Sequence, residues 1–222
     1  MTAAVPLAVT MGEPAGVGGE LSLKAWLARR SGSRPFFVLD DPDRLASLAR
    51  LLGVDVPLRE IKRPEEAVSL FSSALPVLPV HLAVEPVPGR PDVANAPATI
   101  EAIERAVRLA QEGTVAGIVT NPIQKKTLQD AGFRHPGHTE FLAELAGGVE
   151  VAMMLACPQL RVIPVTIHLS LADAVKVLDG EAIVRAGRIA ALGVRDLFGI
   201  ARPRLAVAAL TPPGGLRRPH RS

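Results

Sequence analysis

Residues Thr120 to Ala146 read TNPIQKKTLQDAGFRHPGHTEFLAELA, and how this stretch is read decides how the rest of the chain is read. Asn121, Gln124, Lys125, Lys126, His135, His138, Thr139 and Glu140 crowd into one short connection, with apolar residues on both sides: Val115 to Val119 before it and Phe141 to Ala146 after it. Polar groups gathered between a strand and a helix mark the place where α/β proteins bind ligands, because strand ends and helix starts leave backbone N–H groups free. The chain has 5 lysines against 20 arginines, so the adjacent pair Lys125 and Lys126 stands out. The same residues also read as a solvated loop followed by a capped helix. On that reading Thr139 is an N-cap and Glu140 complements the helix dipole.

Working outward, strands and helices alternate. Pro6 to Thr10 has the length of a strand and runs into the loop Met11 to Gly19, which holds Gly12, Gly16, Gly18 and Gly19. This loop is not a dinucleotide fingerprint, since Leu21 stands where the third glycine belongs, and it lacks the glycine-lysine pair of a phosphate-binding P-loop. A tight strand-to-helix turn explains it better than direct phosphate binding. A helix follows over about 20–30, burying Leu21, Leu23 and Trp26 or Leu27. Strands are expected at 34–39, 57–61, 76–80, 117–120, 151–156, 161–166 and 204–210. Asp40-Asp41-Pro42 predicts a helix N-terminus and Gly53 its end. Ile100, Ile103, Val107 and Ala110 place one face of a helix over 96–111, with Asn95 as its cap or as a ligand group. A helix over 179–198 turns Ile183, Ala186, Ile189 and Leu197 inward. The class is α/β with a largely parallel sheet.

Composition narrows the function. With 48% hydrophobic and 21% charged residues the chain is globular. The net charge of +3 comes from Arg217, Arg218 and Arg221; without these three the balance is 22 basic to 22 acidic. No basic stripe interleaved with aromatics accompanies it, which argues against a nucleic-acid partner. No apolar run has the length of a membrane span, and the N-terminus lacks the basic region of a signal peptide, so a cytoplasmic protein is expected. The single cysteine, Cys157, follows an apolar run and reads as a buried structural thiol. His81 reads as strand surface, His135 as loop and His220 as tail.

Three motifs in register carry a resemblance. Thr10-Met11-Gly12-Glu13-Pro14-Ala15-Gly16-Val17-Gly18 is the first. Thr120-Asn121-Pro122-Ile123 with Lys125 and Pro136-Gly137-His138-Thr139-Glu140-Phe141-Leu142-Ala143 is the second. Met153-Met154-Leu155-Ala156 followed by Thr166-Ile167-His168-Leu169 is the third. From about Leu7 to Leu210 the chain resembles the 4-hydroxythreonine-4-phosphate dehydrogenase family of vitamin B6 biosynthesis. The resemblance implies an isocitrate/isopropylmalate dehydrogenase-like α/β fold, with two subdomains flanking a cleft that the glycine-rich loop borders. They are expected at 1–124 and 125–210, with a divergent tail at 211–222. It also implies oxidation of 4-phosphohydroxy-L-threonine by NAD (or NADP), followed by decarboxylation to 3-amino-2-oxopropyl phosphate. A divalent metal (Zn, Mg or Co) assists, and a homodimer supplies metal ligands from two subunits. His138 and Thr139 match the substrate-binding pair, Lys125 a cleft lysine for substrate charge, and His168 a metal ligand. On the residues alone, His168 reads as a structural histidine beyond a strand.

The chain departs from the pattern after the last expected strand. The family's Asn-Pro-His-Ala-Gly-Glu is replaced by Thr211-Pro212-Pro213-Gly214-Gly215, so Pro213 stands where the second metal histidine belongs. The resemblance further implies a chain shortened at its C-terminus, without the third metal histidine, much of the cofactor contact and the segment that completes the first subdomain. Weak or no dehydrogenase activity is therefore expected of these 222 residues. Two other readings stand beside this one: a sister enzyme acting on erythronate or threonate 4-phosphate, and a non-catalytic remnant.

Overall fold

The computed structural model describes residues 5–167 and 169–208. These form two compact units, the first ending at Val149 and the second beginning at Glu150. That division lies later in the chain than the expected change of subdomain at 124/125.

The first unit is built on a five-stranded parallel sheet in the order β3-β4-β2-β1-β5. Its strands are β1 (Leu7–Thr10), β2 (Phe36–Asp40), β3 (Leu58–Glu60), β4 (Leu75–Pro79) and β5 (Ile118–Thr120). Alternate residues of the central strands point to opposite faces. Ala8, Phe37, Leu39 and Leu78 cluster with Ala67 of α3 (Glu66–Leu70) and with helix α4 (Ala96–Gln111), whose buried stripe is made largely of alanines: Ala98, Ala102 and Ala106. Small side chains let that helix lie close to the sheet. Val9, Val38 and Val77 face the other way, joining Leu23 and Trp26 of α1 (Gly18–Leu27) and Leu45 and Ala49 of α2 (Pro42–Leu52). Helices on both faces are what a parallel sheet requires to bury its two apolar sides.

The expected local signals act as read at α2. Asp41 caps it by accepting from the N–H groups of Asp43 and Arg44, Pro42 opens it, and Gly53 closes it in the left-handed conformation. Other expectations are corrected. Of the large apolar residues expected inward in α1, Leu23 and Trp26 are buried, while Leu21 and Leu27 face solvent. Asn95 does not cap α4. Its amide instead clamps Val84, accepting from the backbone N–H at 3.1 Å and donating to the carbonyl at 3.0 Å. Among the described residues strand β5 is the sheet edge, with Val119 45% exposed. His81 lies just beyond β4 and is exposed.

Two helices follow β5 and belong to the first unit: α5 (Lys125–Asp130) and α6 (His138–Leu145). The chain between β5 and His138 was expected to be loop, so α5 is an addition. Leu128 and Phe141 are buried, and Gln111 of α4 donates to the Leu145 carbonyl at 3.1 Å.

The second unit contains a short antiparallel pair, β6 (Leu155–Ala156) with β7 (Arg161–Val162), and helices α7 (Leu171–Val177) and α8 (Gly180–Phe198). Both strands are shorter than the apolar runs at 151–156 and 161–166 suggest. The expected strand at 204–210 is not formed over 204–208, and its last two residues lie outside the described residues. Asp179 caps α8 through the Ala182 N–H at 2.7 Å, and left-handed Gly199 ends it. Ala190 and Val194 are its buried residues; Leu197, expected inward, is 82% exposed. Cys157 is exposed at the tip of the β6–β7 turn, not buried, because the hairpin is too short to carry it into a core.

Candidate active site

The glycine-rich loop and the start of the 120–146 stretch meet at the C-terminal ends of β1 and β5. Asn121, 7% exposed, joins them. Its side-chain Nδ2 donates to the Thr10 carbonyl at 2.9 Å and to the Ser22 hydroxyl of α1 at 3.0 Å. The Glu13 N–H donates to the Pro122 carbonyl at 2.8 Å, and the Thr99 hydroxyl of α4 donates to the Gly12 carbonyl at 3.1 Å. Glycine is required here for space. A Cβ on Gly12, which has φ +69°, would lie 2.6 Å from the Pro122 oxygen, and one on Gly18 would collide with the Met11 carbonyl oxygen. The loop is thus a packed strand-to-helix turn, as the sequence suggests.

Beneath the loop lies a buried ion pair. Arg44 Nη1 donates to both oxygens of Asp40 at 2.7 and 2.6 Å, and Arg44 Nε donates to the Pro14 carbonyl at 3.0 Å. Burial pushes the Asp40 carboxyl above its ordinary value, against the opposing pull of Arg44. The i,i+4 spacing of this pair is legible in the sequence; its burial is not.

From Asn121 the chain runs through Pro122 to Gln124 into α5, whose first residue is Lys125. The N-terminus of α6 lies beside it. A Cβ on Gly137 would sit 3.7 Å from Lys125 Nζ and 3.7 Å from Glu140 Oε2. His138, the first residue of α6, has its Nε2 atom buried with no hydrogen-bond partner among the described residues. Burial, followed by the neighbouring Lys125 ammonium, holds its pKa below the ordinary histidine value. At neutral pH the ring is therefore uncharged, with one polar nitrogen lacking a protein partner. A buried polar atom without a partner costs stability unless something external satisfies it. Lysine, helix N-terminus and free imidazole nitrogen together suit an anionic, oxygen-rich ligand.

Thr139 lies within the first turn of α6 and is half-buried. It is not the N-cap; that position is Gly137, which gives no side-chain bond. His135 packs between Phe133 and Phe141, with centroids 4.9 Å from each, and its Nδ1 lies 3.6 Å from Glu144. It serves as a packing element under the loop. Glu13, Arg44 and the Phe133–His135–Phe141 stack were not singled out from sequence. His168, the expected metal ligand, lies outside the described residues, as do Pro213 and His220. Among the described residues no three histidine, cysteine or carboxylate groups come together to hold a metal ion. Nor is any described helix long and apolar enough to cross a membrane.

The parallel sheet covered on both faces, with its polar groups at the strand ends, defines an α/β protein of the isocitrate/isopropylmalate dehydrogenase type. Solved structures agree. A 4-hydroxythreonine-4-phosphate dehydrogenase from Klebsiella pneumoniae superposes with a TM-score of 0.84 at 34% identity, covering 93% of this chain and 64% of that one. The family model for pyridoxal phosphate biosynthetic protein PdxA matches residues 32–216. The chain belongs to this family. Among curated relatives, the 4-hydroxythreonine-4-phosphate dehydrogenase of Bradyrhizobium diazoefficiens is 45% identical over 96% of this chain and 65% of its own length. That of Caulobacter vibrioides is 47% identical over 95% of this chain and 64% of its own length. The chain therefore spans about 65% of the length of the curated relatives it matches.

Proposed function

We propose that this chain carries the phosphorylated-substrate site of a 4-hydroxythreonine-4-phosphate dehydrogenase acting in pyridoxal phosphate biosynthesis. The observation that carries the reading is the His138 Nε2 beside Lys125 at the start of α6, buried and without a partner among the described residues. The names of the relatives supply the substrate class: a hydroxy-amino acid bearing a phosphate. In this reading the Lys125 ammonium attracts a negatively charged group of the substrate. The neutral His138 ring hydrogen-bonds one of its oxygens through Nε2, and Thr139 adds its hydroxyl. An anion so bound favours the imidazolium, offsetting the cost that burial and Lys125 impose on it.

The reaction in this reading is oxidation of the substrate's secondary alcohol. A hydride leaves the carbinol carbon, the hydroxyl proton is released, and the resulting β-keto acid loses carbon dioxide. NAD (or NADP), when bound, would accept the hydride, and a divalent ion with His168 among its ligands would supply Lewis-acid stabilisation of charge on the carbinol oxygen. A homodimer and a cytoplasmic location belong to the same proposal.

The test uses the 222-residue chain with NAD, a divalent metal and either 4-phosphohydroxy-L-threonine or erythronate 4-phosphate. NADH formation is followed by absorbance and ligand binding by calorimetry. Binding of the threonine-derived substrate, lost in His138→Asn and Lys125→Ala, is the expected result. Preference for the erythronate compound would move the chain to a sister activity. Absence of binding to either would overturn the reading.

A further inference from the structure

The geometry points to Asn121 as a positioning residue that sets where Lys125 stands relative to His138. This rests on the reading of Lys125 and His138 as an anion site, but on different observations. Asn121 is the last well-buried residue before the exposed segment that leads into α5. Both hydrogen atoms of its amide nitrogen are engaged, one by the end of β1 and one by α1, at 2.9 and 3.0 Å. Its Cβ fills the space left by two missing side chains, lying 2.8 Å from an ideal Cβ position on Gly12 and 3.0 Å from that on Gly18. The neighbouring Pro122 carbonyl is held by the Glu13 N–H at 2.8 Å.

Four constraints thus converge on the backbone at 121 and 122. Only Ile123 and Gln124 separate that anchor from Lys125, and no side-chain cap fixes the start of α5. On its N-terminal side the lysine takes its position from that anchor, while buried Thr127 and Leu128 hold the helix beyond it. Neither neighbouring strand bonding nor helix capping can take over the role. β5 ends at Thr120, and the Gln124 side chain makes no bond to the α5 backbone. An asparagine suits the role because it presents two donors on one planar group while leaving the local charge unchanged.

The experiment replaces Asn121 with alanine and, separately, with serine, both neutral, and adds Ser22→Ala to remove only one of the two acceptors. The His138 ring is followed by NMR as pH is varied, with the resonance assigned among the five histidines by His138→Asn. The control is Val56→Ala, in the core on the α1–α2 face and outside this anchor. If Asn121 positions Lys125, its loss lets the ammonium move away, and the His138 pKa rises toward the ordinary histidine value. Ser22→Ala gives a smaller rise and Val56→Ala none. Affinity for inorganic phosphate, read on the same resonance, weakens by roughly fivefold, the size of one partly exposed charge contact. An unchanged His138 titration in a folded Asn121 or Ser22 variant would overturn the proposal, as would an equal change in Val56→Ala. If phosphate leaves His138 unperturbed in the unsubstituted chain, the anion reading fails by itself, while the pH titration still decides the positioning role.

Discussion

Replacing Asp40 with alanine removes the partner that Arg44 Nη1 has among the described residues and leaves a guanidinium 4% exposed beneath the glycine-rich loop. Breaking one side of a buried ion pair costs roughly 3–5 kcal/mol, because the remaining charge is desolvated and uncompensated. A typical domain has a total stability of about 5–15 kcal/mol, so the loss is a large fraction of what holds the first unit together. The pair itself is a different matter. Taking both charges out of water is costly, and their attraction repays that cost only in part. Converting both partners together, as Asp40→Leu with Arg44→Met, therefore removes little net stabilisation. The chief losses are the donor to the Pro14 carbonyl and the acceptor of the Asp41 N–H, each worth about 1 kcal/mol. Urea denaturation of the wild type, the single variant and the double variant, followed by circular dichroism, measures both quantities. A single variant within about 1 kcal/mol of wild type, or a double variant as unstable as the single one, would refute the reasoning.

Gly18→Ala should destabilise by roughly 1–3 kcal/mol through its collision with the Met11 carbonyl and Asn121. Gly187→Ala, mid-helix in α8 with open space around it, should stabilise by about 0.5–1 kcal/mol; thermal melts of the two compare them directly. The depressed His138 pKa means that the unfolded chain binds the proton more tightly than the folded one. Its contribution to stability is thus fully present above the unfolded value of about 6.5 and is lost as pH falls through the folded value. His138→Asn should abolish that part of the pH dependence in denaturation titrations. The second unit exposes Leu171, Val175, Val177, Val184, Leu192 and Leu197, each more than half exposed, so concentration-dependent association should appear in analytical ultracentrifugation. A monodisperse monomer with a sharp unfolding transition would contradict this.

Local chemistry was legible from the residues alone wherever a signal acts over a few positions. The Asp41 cap, the Gly53 stop and the span of α4 needed only neighbours in sequence. The alternation of apolar strands and amphipathic helices gave the parallel sheet of the first unit, and the resemblance of three motifs pointed to the family. The sequence also directed attention to Lys125, His138 and Thr139. What it could not supply was partnership across distance. Asn121 reaches residues 111 and 99 positions away, and Thr99 reaches Gly12 across 87. Nor could periodicity tell that Leu197 and Cys157 face solvent, since an apolar residue is buried only if another surface covers it. Asn95 shows the same limit: its place at a helix start suggested a cap, but the Val84 backbone, folded over it, offered two bonds at once. Hydrogen bonding is decided by which groups the tertiary fold brings within reach, and that is a property of the whole packed chain.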